Sequence, residues 1–291
     1  LRIETSGGCV TVDDVFASSR TIIVAGKGGV GKTTVSAALA CAAARRGRRV
    51  LFIELDGKPI PRELASGDGH ITTLSLTAGD ALVDYLEHHG LGRLAKRFAS
   101  TGILDVIAAA APGLDDLLVL GRIKALERSS NHDLIVVDGP AAGHALTFLR
   151  VAHGIRHGIR SGLIATQAAE VGEFLADHSR CSVVMVTLPA STPVVETIDT
   201  AFAIEDEIGV ALGPIVVNRV LPEHEVDGEQ TTSTPLRDSA EFYRSRRRLQ
   251  VESIRLLHER LPLPQIRLPD VDSPDLISSL TDALLRSEST T

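Results

Sequence analysis

The chain is 291 residues long, 44% hydrophobic and 23% charged, a size and balance that support a large buried core in one elaborated domain and exclude a disordered polymer. Aromatic residues make up only 3%, with no Trp, which excludes broad stacking platforms for bases or sugars. A formal charge of −7 argues against an overall field that gathers nucleic acid or anionic membrane.

The N-terminal segment lacks a basic stretch followed by an apolar run, and no apolar run approaches the ~18 residues of a membrane span. Cys9, Cys41 and Cys181 lie far apart without a CxxC pair, so neither a disulfide framework nor a zinc clip is expected, and a reducing cytoplasm is the expected compartment. Short β-branched runs at 21–25, 50–55, 134–138, 183–188 and 215–218 alternate with longer helical patterns, the rhythm of a parallel α/β sheet. Their nearly continuous apolar character predicts helices on both faces of the sheet. Further strands are expected at 71–76, near an edge, and at 265–268, framed by Pro264 and Pro269.

The interval 59–131 is too long for a plain crossover and is periodic at 81–88, 91–98 and 114–126, so it reads as a helical insertion after the second strand. A second helical stretch, 145–179, is expected to pack beside it over the C-terminal edge of the sheet. The expectation is a single domain, 1–291, with 60–131 and 145–179 forming a helical subdomain. Residues 223–234 are polar and read as a mobile connection. The segment 275–285 places Leu276, Ile277, Leu280, Leu284 and Leu285 on one helical face suited to the core.

Gly26-Lys27-Gly28-Gly29-Val30-Gly31-Lys32-Thr33-Thr34 follows a predicted strand and opens an Ala-rich helix, the context of a phosphate-binding P-loop. Glycines let successive N–H groups converge on phosphate oxygens, and the helix N-terminus adds partial positive charge there. Lys32 is then suited to the β/γ-phosphates of ATP and the Thr33 hydroxyl to Mg²⁺. The chain has five lysines against 25 arginines, yet Lys27 and Lys32 share this loop, where a compact ammonium is favoured. Asp138 ends an apolar run and fits a carboxylate that holds Mg²⁺ through water.

GKGGVGKTT resembles the deviant Walker A loop of the family of arsenite-pump ATPases, tail-anchored-protein-targeting ATPases and partition ATPases. The resemblance implies a P-loop fold, Mg²⁺-dependent ATP hydrolysis and a dimer, homomeric or with a paralogue, in which Lys27 reaches the partner's nucleotide. A cation supplied in trans is worth on the order of 10³ to 10⁵ in rate, or ~4 to 7 kcal/mol of barrier. Asp138-Gly139-Pro140-Ala141-Ala142-Gly143-His144 is similar to that family's DTAPTGH switch, so Asp138, Gly143 and His144 carry over as switch residues, while both Thr positions are replaced. Glu54-Leu55-Asp56-Gly57-Lys58-Pro59 stands where the family has STDPAH, and Asp56 matches the Asp that acts on the attacking water. Glu54 is expected to support the site from the strand. VNRVLPE at 217–223 is similar to the family's VNxxxPE stretch, which implies that Asn218 reads the adenine edge, with Arg219 and the loop at Pro269 flanking the base.

Other constellations are weaker. His153 and His157 have an i, i+4 spacing but no third ligand nearby, and a helix face is the expected role. Arg244, Arg246, Arg247 and Arg248 form a basic run interspersed with Glu241 and Glu252, expected as a salt-bridged surface helix rather than a DNA contact. Arg122 and Lys124 are candidates for relaying nucleotide state into the insertion. The leading reading is a dimeric switch ATPase that moves a helical subdomain for a protein cargo or partner, touching membrane only through that partner. Arsenite is disfavoured because soft As(III) needs clustered thiolates, and a Met-rich cargo groove is absent from a chain with one Met. The alternatives are a slow nucleotide-gated scaffold paired with a paralogue and a DNA-partition ATPase.

Overall fold

The computed structural model describes residues 11–55, 57–65, 69–93, 113–129, 131–158, 161–223 and 234–286. Among the described residues, eight strands form one parallel sheet: β1 (Thr21–Gly26), β2 (Val50–Glu54), β3 (Ile71–Ser75), β4 (Leu134–Ala141), β5 (Cys181–Thr187), β6 (Ala211–Leu212), β7 (Ile215–Val220) and β8 (Gln265–Pro269). Their order is β3-β2-β4-β1-β5-β7-β8, with the short β6 beside β5. β1, β2 and β5 are buried along their whole length, which is why their sequences run apolar without alternation. The edge strand β3 is only partly covered and can carry Thr72 and Thr73 outward.

β1 lies between β4 and β5, so the chain leaves it to one side for β2 and returns to its other flank with β5. Ligands of open α/β sheets bind at such a reversal, outside the carboxyl ends of the strands.

Two cores lie on opposite faces of the sheet. On one, α1 (Val12–Ser18), α2 (Lys32–Arg45), α3 (Arg62–Ala65) and α10 (Leu276–Arg286) cover Ile22, Val24, Val50 and Phe52. Alanines at 37, 38, 40, 42 and 43 keep α2 slender enough to be buried against both sheet and α10. α10 answers with Ile277, Leu280 and Leu284, and its Thr281 Oγ1 donates to its own Ile277 carbonyl at 2.8 Å. Truncating such a buried Leu typically costs about 2–5 kcal/mol.

The opposite face is covered by α4 (Ala78–His88), α5 (Leu114–Ser129), α6 (Ala142–Gly158), α7 (Leu163–Ala176), α8 (Ser191–Ala203) and α9 (Thr234–Arg260), with a π-helical turn at Ile204–Ile208 after α8. A reciprocal Thr77–Asp80 capping box starts α4, and Gly162, at φ +100°, begins α7.

The expected strands are present. The interval 59–131 is not wholly helical, however: the short α3 is followed by β3, which pairs with β2, and the longer helices α4 and α5 come only after it. The helical stretch expected at 145–179 consists of two helices, α6 and α7. Most of the periodic run 91–98 and of the polar segment 223–234 lies outside the described residues. No described helix is long and apolar enough to cross a membrane.

Candidate nucleotide site

β1 ends at Gly26, and the chain turns through Lys27 to Val30 before Gly31 opens α2. Two of the glycines are sterically obligatory. A Cβ at Gly26 (φ +153°) would stand 2.3 Å from the Val186 carbonyl oxygen, and one at Gly31 (φ +92°) 2.5 Å from Asn218 Nδ2. Gly28 and Gly29 instead face open space, leaving a bare backbone concavity beside the start of α2 where anions are favoured.

Lys32 is 8% exposed and its Nζ donates to the Lys27 carbonyl at 3.4 Å, so the ammonium folds over the loop. Thr33 Oγ1 donates to Asp138 Oδ2 at 2.6 Å, joining α2 to the C-terminal half of β4. Ser36, one helical turn on, stands 3.2 Å from Asp138 Oδ1 and 2.8 Å from the Lys32 carbonyl. Asp138 is buried, which pushes its carboxyl above the ordinary range. The hydroxyls of Thr33 and Ser36 and the charges of Lys58 and Lys32 oppose that shift. A desolvated carboxylate with two hydroxyl neighbours at the mouth of a glycine cradle suits a hard divalent cation.

Lys27 points away from this cluster. It is exposed and its Nζ donates to Glu196 Oε1 of α8 at 2.5 Å. Asn218 is buried beneath the loop: its Nδ2 donates to the Val30 carbonyl at 2.9 Å and its Oδ1 accepts from the Arg219 N–H at 3.0 Å. One amide hydrogen and one acceptor lone pair remain. Arg219 is the sole described residue other than glycine with positive φ, at 58°. This left-handed conformation costs of order 1–3 kcal/mol and is typically retained at functional positions. It coincides with a register shift between β7 and β8 before Val220 pairs with Pro269.

Asp56 lies outside the described residues. Beside it, Glu54 is buried and accepts from the Lys58 N–H at 2.9 Å and from Ser75 Oγ at 3.0 Å, tying the segment's flanks to β3. Gly143 and His144 are exposed in the first turn of α6, and His144 lowers the Asp116 carboxyl of α5 against the larger upward push of burial. Thr34 is half-buried in the first turn of α2.

Sequence reasoning missed Ser36, Lys58 and Glu196. Ser36 was legible as the one hydroxyl in α2 besides Thr33 and Thr34, three residues after Thr33 and on the same face. Lys58 adjoins Asp56. Glu196 gave no local signal, being 169 residues from Lys27. Arg122 and Lys124 are paired with Asp84 and Glu170 on the opposite face of the sheet from α2. No group of three or more metal-ligating side chains occurs among the described residues.

Residues 21–230 match the family model of the CobQ/CobB/MinD/ParA nucleotide binding domain. ATPase BagA of Mycobacterium tuberculosis is 33% identical over 246 residues, spanning 76% of this chain and 71% of that protein. A Halobacterium salinarum protein provisionally named an arsenical pump-driving ATPase is 26% identical over 281 residues, 86% of this chain and 41% of its own length. ATPase GET3 of Chaetomium globosum is 30% identical over 145 residues, 46% of this chain and 43% of that one. With the glycine cradle, the Thr33–Asp138 pair and these similarities together, the chain belongs to the CobQ/CobB/MinD/ParA nucleotide-binding family and is a P-loop ATPase of the branch that holds BagA and GET3.

Proposed function

We propose that this ATPase is a dimeric switch: it binds ATP with Mg²⁺, pairs with a second like subunit over the nucleotide, and couples hydrolysis to its helical layer for the handling of a protein partner. The observation that carries the reading is the bond from Thr33 to buried Asp138 at the mouth of the loop, since this pair joins the phosphate cradle to the head of the switch segment. The loop N–H groups and Lys32 hold the phosphates, and Thr33 and Asp138 are the residues fitted to hold magnesium. When bound, that ion neutralises charge on the phosphate oxygens. Asp56 accepts a proton from the attacking water, and Asn218, Arg219 and Pro269 border the base.

Lys27 is the trans residue in this scheme. Its ion pair with Glu196 must open before the ammonium can reach a partner's phosphate, so pairing and release from α8 are one event. Gly143 and His144 pass the state of Asp138 to α5 through Asp116.

The test is Mg²⁺-dependent phosphate release with matched variants. Asp56→Asn is expected to bind ATP and lose turnover, and Lys27→Ala to bind ATP and lose ATP-dependent pairing in sedimentation. Undiminished release by Asp56→Asn, or a full ATP dimer of Lys27→Ala, rejects the corresponding role. The replacement of both switch threonines, by Gly139 and Ala142, favours, as a second reading, a slow nucleotide-gated scaffold. A dimer that forms with ATP yet releases no phosphate, alone or with a paralogue, would establish it.

A further inference from the structure

Glu54 and Asp138 are register partners on the adjacent parallel strands β2 and β4. Partners in such a ladder lie roughly 5 Å apart and send their side chains to one face of the sheet. Here it is the α2 face, since Phe52 and Val136, one alternation earlier, belong to the core on that side. Two buried carboxylates, 1% and 3% exposed, therefore stand side by side, and Thr33 joins the second of them to the glycine loop. A polyphosphate in that cradle adds charge of the same sign, which nearby cations must offset.

Lys58 supplies such a cation from the segment that follows β2. Its N–H donates to Glu54 Oε1 at 2.9 Å, and Ser75 Oγ donates to the other oxygen of that carboxylate at 3.0 Å, so the Lys58 backbone is fastened to the end of the strand. Gly57, at φ +68°, makes the turn that brings it there, and the following Pro59 restricts Lys58 to extended conformations. From this anchor an exposed lysine stem reaches about 6 Å, enough to cross from Glu54 to its neighbour. The positive charge of Lys58 accordingly acts on the Asp138 carboxyl, and more strongly than that of Lys32 in the loop itself.

Composition points the same way. Lys27, Lys32 and Lys58 are three of only five lysines in the chain, against 25 arginines, and a compact ammonium meets phosphate oxygens as a point charge. Lys27 is held by Glu196 of α8. After Asp138 the chain runs Gly139-Pro140-Ala141-Ala142-Gly143, which offers no side-chain donor to a terminal phosphate.

We propose that Lys58 is a further catalytic residue: its ammonium binds the γ-phosphate oxygens of ATP held in the glycine loop of the same subunit, and so discriminates ATP from ADP. The ammonium forms no covalent bond and gives up no proton. It stabilises the charge spread over the γ-phosphoryl oxygens while water adds and the bond to the bridging oxygen breaks. Once that phosphate departs, the lysine charge falls back on Asp138. The inference rests on the proposed binding of ATP with Mg²⁺ at this loop, and it holds whether or not two subunits pair.

Calorimetry of the full chain with ADP and with a β,γ-imido analogue of ATP, each with Mg²⁺, tests it. Lys58→Met, which keeps the stem, and Lys58→Ala are expected to weaken the triphosphate analogue about tenfold while ADP stays within about twofold. In the same variants kcat for phosphate release is expected to fall about 100-fold, with thermal melting unchanged. Lys58→Arg keeps the charge and is expected to keep most of the triphosphate preference; a loss as complete as in Lys58→Met overturns a contact based on charge. Equal weakening of both nucleotides, or of neither, also overturns the contact. So does tighter Mg²⁺ binding by nucleotide-free Lys58→Met at an unaltered triphosphate preference, which would make Lys58 only a counter-ion of Asp138. A wild type that binds neither nucleotide overturns instead the proposed ATP site itself.

Discussion

The two faces of the sheet are built differently. On the α2 side, slender alanine-rich packing fixes the phosphate loop by backbone contacts: Gly26 against the Val186 carbonyl and the Val30 carbonyl against Asn218. On the other side, α4, α5 and α7 enclose a cavity of about 620 Å³ whose walls include the Arg122–Asp84 and Lys124–Glu170 pairs. The phenolic oxygen of Tyr85, on this wall, is buried without a hydrogen-bond partner. One face packs closely beneath the glycine loop, and the other leaves space between its helices. The switch proposed above needs both, a fixed lever point and an element with more than one arrangement.

Breaking the rigid face directly gives the largest effect. Lys32→Ala removes the ammonium from the cradle, and with charge-assisted bonds worth about 1.5–3 kcal/mol, ATP affinity by titration calorimetry is expected to fall roughly 10- to 100-fold. Unchanged affinity would mean that the loop does not hold phosphate.

Steric substitutions compare the faces on one scale. Gly26→Ala drives a methyl group into main-chain oxygen and is expected to cost about 2–4 kcal/mol in urea denaturation. Gly121→Ala, on α5, meets the end of the Gln167 side chain at 1.7 Å. That amide borders the cavity and can swing aside, so the cost is expected to stay below about 1 kcal/mol, partly offset by the better helix propensity of Ala. Equal costs would show that the helical layer is as unyielding as the loop.

The smallest effect concerns Asp116, whose carboxyl is pushed up to about 6 by burial first and by Asp115 second, with His144 opposing. The folded form then binds a proton more tightly than the unfolded chain, whose Asp titrates near 3.8. Stability contributed by the neutral acid is present below that unfolded value and is lost as pH rises toward 6. Asp116→Asn is expected to abolish that part of the pH dependence in melts between pH 4 and 7, and a slope identical to wild type would remove the group from the account.

Legibility in the sequence followed the range of the interactions. The loop, its helix and Asp138 were readable because phosphate binding is encoded in a contiguous run of glycines and a strand-end carboxylate. β1, β2, β4, β5 and β7 were readable because burial on both faces leaves an unbroken apolar run. Within 145–179, Gly162 marks the break between α6 and α7. The Glu196 pair with Lys27 and the Asn218 strap beneath Val30 were beyond reach, since each depends on sheet order bringing together segments more than 160 residues apart.

That strap has a consequence for biogenesis. The glycine loop leaves the ribosome before the amide that braces it, which belongs to β7 and arrives about 190 residues later. Until then the cradle has no floor under Val30, so nucleotide can assist folding of the nascent polypeptide only once β7 has been made. A truncated translation product that stops before β7 would carry the complete glycine motif and still lack a shaped site.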